Sequence, residues 1–415
     1  MIELEKFPLK QLAAIFFVSL VVGVVLVNWF EYIVPNDNSL PLGVDFYPRW
    51  VGSRAFWRGE SPYSLEVDRE TQSYVFNRPA LPGEDTFGFY YPAHIAVVLG
   101  PLTLLSARAG ALLWTAVTWA LLGVLVFLII RSVPGRASPG LFLLIALSVF
   151  FQRSILLVVL NGQYVLFVLA CWGLAYYLVQ HKQNAAAGFL LALTTIKPSL
   201  SVLPLLVFLW WVWRTRRRSV VLSFLVTCGL FFAVTLVQIG WWLPEFVLQL
   251  GQYDNFPRQW IPANIFTLAG VIWLGSTAVL VFLGIRDHRQ DPFQFPWLLF
   301  WASISLVLLA TPHTAEYDLP ALLLPLFIYS ATYLRTRFGT AVWAFLLWWP
   351  WISWTIFQLL GETTSYWYSF YWFHYPQVLV IALIAFHYFV NQRLVSQRPS
   401  LKPKITFRES IRKRN

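Results

Sequence analysis

Charge is scarce in this chain. Only 12% of its 415 residues are Asp, Glu, Lys or Arg, roughly half the ~25% of a soluble domain, and that shortage excludes an ordinary water-soluble globule. Cysteine is nearly absent. Cys171 and Cys228 are the only two; both sit in apolar stretches without a Cys-x-x-Cys pair, so they read as small buried hydrophobes rather than metal ligands. No glycine-rich phosphate loop, His-Glu-x-x-His or Gly-x-Ser-x-Gly occurs, so no nucleotide cofactor is indicated. Metal chemistry has no support either. The acidic pairs Asp68-Arg69-Glu70 and Glu84-Asp85 read as solvated surface, and Asp45 has no second carboxylate two residues away. There is no internal repeat and no low-complexity tract.

What the chain does have is hydrophobic sequence, 58% of it, with a mean hydropathy of +0.62. Repeated apolar runs of about 20 residues imply membrane helices rather than a soluble core. About twelve spans are expected, at 9–29, 109–130, 139–151, 163–179, 185–196, 200–213, 220–239, 266–285, 293–310, 319–334, 340–356 and 377–390. The third and fifth are short enough to be half-helices lining a cavity. The first follows Lys6 and Lys10, is too long for a signal-peptide core and lacks a small-residue cleavage site, so it is expected to be retained. The fold class expected is thus an all-α, multi-pass integral membrane bundle, with one transmembrane domain over 1–392 and a basic tail over 393–415.

The net charge of +11 does not point to nucleic acid, because the basic residues cluster in short loops between apolar runs. With a cytoplasmic N-terminus and alternating spans, the inner side collects 21 basic and 5 acidic residues, a net +16, and the outer side 9 basic and 14 acidic, a net −5. The positive-inside bias makes that orientation strong. Both termini are then cytoplasmic, in a cell (plasma) membrane. The tail arginines Arg408, Arg412 and Arg414, with Lys413, suit anionic lipid headgroups.

The outer side carries the longest hydrophilic stretch, 31–91. Within it, Pro48 to Arg58 reads as a short helix, with Pro48 in the first turn and Gly59 as the stop. Trp50, Val51, Phe56 and Trp57 supply an apolar side and Arg49 and Arg58 a polar one, as in a helix lying flat on a membrane. Tyr91 to Leu105 reads as a second interfacial helix. The segments 152–162 and 240–262 read as outer loops.

Ionisable residues near membrane depth usually face a cavity or a partner. Asp45, in Gly43-Val44-Asp45-Phe46-Tyr47-Pro48, suits a general base taking a proton from a hydroxyl, and equally a cap on the Pro48 helix. Lys197, before Pro198, is either a fixed cation for a phosphate or a lysine snorkelling from a helix end. The turn Thr311-Pro312-His313-Thr314-Ala315-Glu316-Tyr317-Asp318 offers His313 for a phosphate or sugar contact, or a solvated histidine with Asp318 as a helix cap. The amides of Asn161-Gly162-Gln163 suit sugar hydroxyls or a helix break. Arg153 suits a phosphate or an interface anchor.

Taken together and in order, several short pieces resemble glycosyltransferase family 87. They are Asp45-Phe46-Tyr47, Gly59-Glu60-Ser61-Pro62-Tyr63, Tyr90-Tyr91-Pro92 leading to Pro101-Leu102, Gly162-Gln163, Ala187-Gly188 through Lys197-Pro198, and Thr311-Pro312-His313 with Tyr317-Asp318. The resemblance implies a GT-C-type bundle whose first outer loop carries the catalytic aspartate. It implies a polyprenyl-phosphate donor, probably of mannose in this family, a lipid or glycan acceptor, inversion at the anomeric carbon and no metal. Carried over by motif, Asp45 is the base and Lys197 and His313 lie near the donor phosphate, with Arg153, Gln163, Tyr91 and Asp318 as further substrate-binding candidates. The aromatic run Tyr366-Trp367-Tyr368 and Phe370-Tyr371-Trp372 suits an interfacial belt. A transporter or lipid flippase is the competing class, disfavoured by the lack of paired repeats. A glycan polymerase or ligase is another, for which the largest outer loop is expected later in the chain.

Overall fold

The structure, a computed structural model, describes residues 41–81, 84–132, 149–150, 152–252, 268–311 and 316–322, with isolated positions at 19, 348–349, 351–352 and 355. The first expected span, nearly all of the third, most of the tenth to twelfth, and the aromatic run at 366–372 lie outside these residues. Among the described residues the regular structure is helical, with no strand.

The hydrophilic loop folds into its own helical cap. A 3₁₀ turn, Val44–Phe46, runs into α1 (Tyr47–Trp57), with Pro48 in the first turn as expected. Gly59 stops it in the left-handed region at φ +79°. Helix α2 (Leu65–Phe76) follows; the Ser64 side chain accepts from the Val67 N–H, and Glu66 and Asp68 occupy the first turn. Helix α3 (Ile95–Leu99) continues as a 3₁₀ stretch, Gly100–Leu104. Helix α1 packs against α2 and α3 and reaches α4. It therefore does not lie flat with a wet side: Arg49 is fully buried, as are Phe46, Trp50, Val51 and Phe56. Packing on several sides removes the surface that the amphipathic reading assigned to water.

Helix α4 (Ala107–Ser132) begins the apolar bundle, and Ala107–Leu128 within it is long and apolar enough to cross a membrane. Residues read as an outer loop instead form α5 (Arg153–Asn161), which meets α6 (Val165–Gln180) at a 108° bend. The apolar run Ile155–Leu160 sustains that helix and Gly162 ends it. Helix α7 (Asn184–Leu193) tightens into a 3₁₀ turn, Thr194–Ile196, and breaks at Lys197 before α8 (Pro198–Arg214). Pro198 forces the break by excluding Lys197 from the helical region. Helix α9 (Arg218–Ile239) is the second segment able to cross a membrane. Helices α10 (Leu243–Gln252), α11 (Leu268–Gln290) and α12 (Trp297–Ala310) follow, and then a 3₁₀ turn, Glu316–Asp318.

Close helix contact in lipid depends on small residues, since burying apolar surface gains little there. Helices α7 and α9 meet at Gly188, where a methyl group would stand 2.3 Å from the Val220 carbonyl oxygen. Ser223 donates to the Ala185 carbonyl at 2.7 Å across the same contact. Helix α10, in a stretch read as loop, turns Trp241, Val247 and Leu248 outward and Gln249 inward, toward Asp68. Tyr63 stacks on Trp242. An outward apolar face with inward polar contacts suits a bilayer surface and ties α10 to the cap.

Candidate active site

Two left-handed glycines build the centre. Gly162 (φ +71°) closes α5: its N–H donates to the Val159 carbonyl at 3.2 Å and that of Gln163 to Val158 at 2.9 Å, the paired bonds of a Schellman stop. Gly43 (φ +72°) lies against it, and its N–H donates to the Leu160 carbonyl at 2.7 Å. A methyl group on Gly162 would be 3.1 Å from the Gly43 Cα, so two chain segments cross here where side chains would keep them apart. The crossing places Asp45 beside Gln163.

Asp45 caps neither helix; no side-chain bond caps the start of α1. Its Oδ2 accepts from Gln163 Nε2 at 2.6 Å, which decides against the capping alternative. Gln163 Oε1 in turn accepts from Arg49 at 2.8 Å. Arg49 also donates to the Gly162 carbonyl at 2.7 Å and to the Tyr91 hydroxyl at 2.6 Å. Its guanidinium lies 4.6 Å from the Tyr91 ring and 4.0 Å from the Tyr164 ring. Trp114 donates to the same Gly162 carbonyl at 2.9 Å. A buried arginine is tolerable only with such partners. The carbonyls ending α5 also present partial negative charge to it.

Lys197 and Asp318 form the other half. Lys197 does not snorkel: the pair is buried, with Nζ 2.5 Å from Asp318 Oδ1, and Tyr317 flanks the ammonium at 5.3 Å. Helix α5 bridges the halves, packing on both the 44–46 and the 316–318 turns. Burial pushes the Asp45 carboxyl above its ordinary range, against the lowering pull of Arg49, the Gln163 hydrogen bond and Lys197. The field of Asp318 adds to the rise, which places the ion pair within electrostatic reach of Asp45.

Asp45, Gln163, Tyr91, Lys197 and Asp318 are therefore brought together. Arg153 is not at the glycine crossing: it opens α5 while Gly162 closes it, and the helix between spans about 12 Å at 1.5 Å per residue. His313 lies outside the described residues, as does Arg258. Sequence reasoning missed Arg49 as the hub, although its spacing of four from Asp45 is the one that puts two helical residues on one face. It also missed Tyr164 and Trp114 as its supports. His94 is a further unlisted neighbour. Its Nε2 lies 3.0 Å from Thr195 Oγ1, two residues before Lys197, and burial lowers its pKa to about 4, leaving it neutral. Among the described residues no group of three or more His, Cys, Asp or Glu side chains is placed to hold a metal ion.

A helical membrane protein with a recessed acid beside a buried ion pair, at the edge of an apolar bundle, has the parts of a membrane-bound transferase. The chain belongs to glycosyltransferase family 87, whose defining pattern matches residues 89–312, just over half of it. It is thus a membrane glycosyltransferase, acting between a sugar donor and an acceptor. The matched stretch contains Tyr91, Gln163 and Lys197; Asp45 precedes it and His313 and Asp318 follow it. Comparison with curated proteins and with solved structures returns no match.

Proposed function

We propose that this enzyme transfers a hexose, mannose by the family resemblance, from a polyprenyl-phosphate donor to a lipid or glycan acceptor on the extracytoplasmic side, with inversion. The observation that carries the proposal is the Asp45 carboxylate, turned away from any helix cap and fixed by Gln163 within electrostatic reach of the Lys197–Asp318 pair. In this reading Asp45 takes the proton of the acceptor hydroxyl as its oxygen attacks the anomeric carbon. The bond to the donor phosphate breaks, and the lipid phosphate leaves with the electron pair. A carboxylate whose pKa is raised by burial is a stronger base than a solvated one.

Charge builds on the departing phosphate and calls for a fixed cation. Lys197 fills that role. It stands at the start of α8, where free backbone N–H groups also favour an anion. Before the donor binds, Asp318 holds the ammonium; the phosphate then competes for it. Arg49 carries no substrate in this scheme. It locks Gln163, which orients the base. A GT-C bundle of about twelve spans within one domain over 1–392, in a plasma membrane with both termini inside, completes the proposal.

The test is Asp45→Asn, purified and reconstituted in nanodiscs with labelled polyprenyl-phosphate mannose and a panel of acceptors. Loss of a general base should lower turnover by about 10²–10⁴-fold with the fold retained. Turnover near that of the unaltered enzyme would remove Asp45 from the mechanism.

A further inference from the structure

A second recess lies across α1 from Asp45. Tyr47, Trp50 and Arg54 recur at i, i+3 and i+7 and so share one side of α1, while Arg49 takes the other toward Gln163. The recess measures about 520 Å³ and is completed by Tyr74 and by residues 103–108, which lead into α4. Its wall is well fixed. The Tyr47 and Tyr74 rings stack at 6.1 Å and Trp50 meets Tyr74 edge-on at 5.7 Å. Trp50 Nε1 donates to the Leu102 carbonyl at 3.1 Å.

The lining contains two arginines, Arg54 and Arg108, and no acidic residue. Arg54 lies 5.3 Å from the Trp50 ring, and among the described residues no carboxylate pairs with it. Nearby arginines differ: Arg58 holds Glu60 at 2.7 Å and Arg78 holds Glu84 at 2.6 Å. An unneutralised guanidinium in a concave site favours an anion, and two of them favour phosphate through paired N–H donors. The rim is apolar. Leu104 is 87% exposed and Leu105 37%, immediately before the membrane-capable stretch of α4. The occupant thus needs a negative headgroup and an apolar chain together.

We infer that this recess is a headgroup site for an anionic membrane phospholipid, separate from the Asp45 centre, with the phosphate between Arg54 and Arg108 and the chains along Leu104 and Leu105. The site stands on the membrane character of the chain and does not require Asp45 to be a base, so the two readings fail independently.

The full chain in detergent would be titrated with phosphatidylglycerol, phosphatidylcholine and inorganic phosphate. Retained lipid would be followed by native mass spectrometry and stability by thermal melting. One phosphatidylglycerol per chain should be retained and raise Tm. Its affinity should fall at least tenfold in the double variant Arg54→Gln/Arg108→Gln, and only a few-fold in Arg54→Lys, which keeps charge but loses the paired donors. Asp45→Asn should bind the lipid unchanged. Equal retention of phosphatidylcholine, undiminished binding by the double variant, or the same Tm shift from inorganic phosphate alone would overturn the assignment. So would competition between phosphatidylglycerol and the polyprenyl-phosphate sugar in the transfer assay, since the recess would then belong to the donor path.

Discussion

Replacing Gly162 by alanine adds one methyl group and should damage turnover more than it damages folding. The residue has φ +71°, a region that costs a residue with a Cβ about 1–2 kcal/mol. The new methyl would sit 3.1 Å from the Gly43 Cα and 3.2 Å from the Phe46 Cβ, so these neighbours must give by a few tenths of an ångström. Gly43 and Phe46 bracket Asp45, and Gln163 follows Gly162 directly, so the displacement falls on the 2.6 Å bond between base and amide. A misplacement of about 1 Å can cost around 100-fold in rate; a shift of a few tenths should cost roughly tenfold in kcat, with KM little changed. Stability should fall by the ~1–2 kcal/mol of backbone strain. Gly162→Asn separates the two effects, because asparagine tolerates the left-handed region but keeps the clashing Cβ. It should regain much of the Tm and little of the kcat. Single-turnover transfer in nanodiscs, normalised to folded protein, reads the outcome. If both variants turn over normally per folded molecule, the glycine crossing does not position the base.

Other consequences can be checked on the same preparation. Because burial raises the Asp45 pKa in the folded protein, its contribution to stability is present below the unfolded carboxylate pKa and is lost as pH rises through the folded value. Asp45→Asn, which mimics the neutral acid, should therefore raise Tm at neutral pH while abolishing transfer, and a lower Tm would contradict the burial argument. The acid limb of kcat/KM should lie above the ordinary carboxylate range and should be absent from the residual activity of Asp45→Asn. Lys197→Ala strands the buried Asp318 carboxylate and should cost about 3–5 kcal/mol; Lys197→Met/Asp318→Leu should recover much of that stability and none of the activity, as chemical denaturation would show. Gly188→Ala forces α7 off α9 at a 2.3 Å contact and should cost about 1–3 kcal/mol. An unchanged melting temperature would mean that the two helices do not need to touch there.

The membrane helices were legible because lipid makes each apolar segment satisfy its own backbone hydrogen bonds. The expected 109–130, 200–213 and 220–239 therefore fall within two residues of Ala107–Ser132, Pro198–Arg214 and Arg218–Ile239. The stop at Gly59 and the break at Pro198 were legible for the steric reasons proline and glycine always carry. Helix α5 was missed because its polar ends, Arg153 and Asn161, read as loop and hid six apolar residues ending at a left-handed glycine. Helix α2 was missed although Ser64, Glu66 and Asp68 form a recognisable start. Asp45 and Lys197 could be nominated from position alone. Their partners could not, since Gln163 and Asp318 meet them only through the packing of α5 on two distant turns. Arg49 was misplaced for a related reason. A helical wheel shows which residues share a side, and nothing in it says that both sides will be covered.

The Asp45–Gln163 bond closes a loop of 118 residues and the Lys197–Asp318 pair one of 121. If these groups form the active centre, a polypeptide still emerging from the ribosome cannot have one. Its nucleophile-activating acid would already be threaded through the bilayer while the opposing cation awaited a counter-charge not yet synthesised. Truncated or stalled products would sit in the membrane inert, unable to consume lipid-linked sugar, and activity would begin only when the last contributing turn is in place.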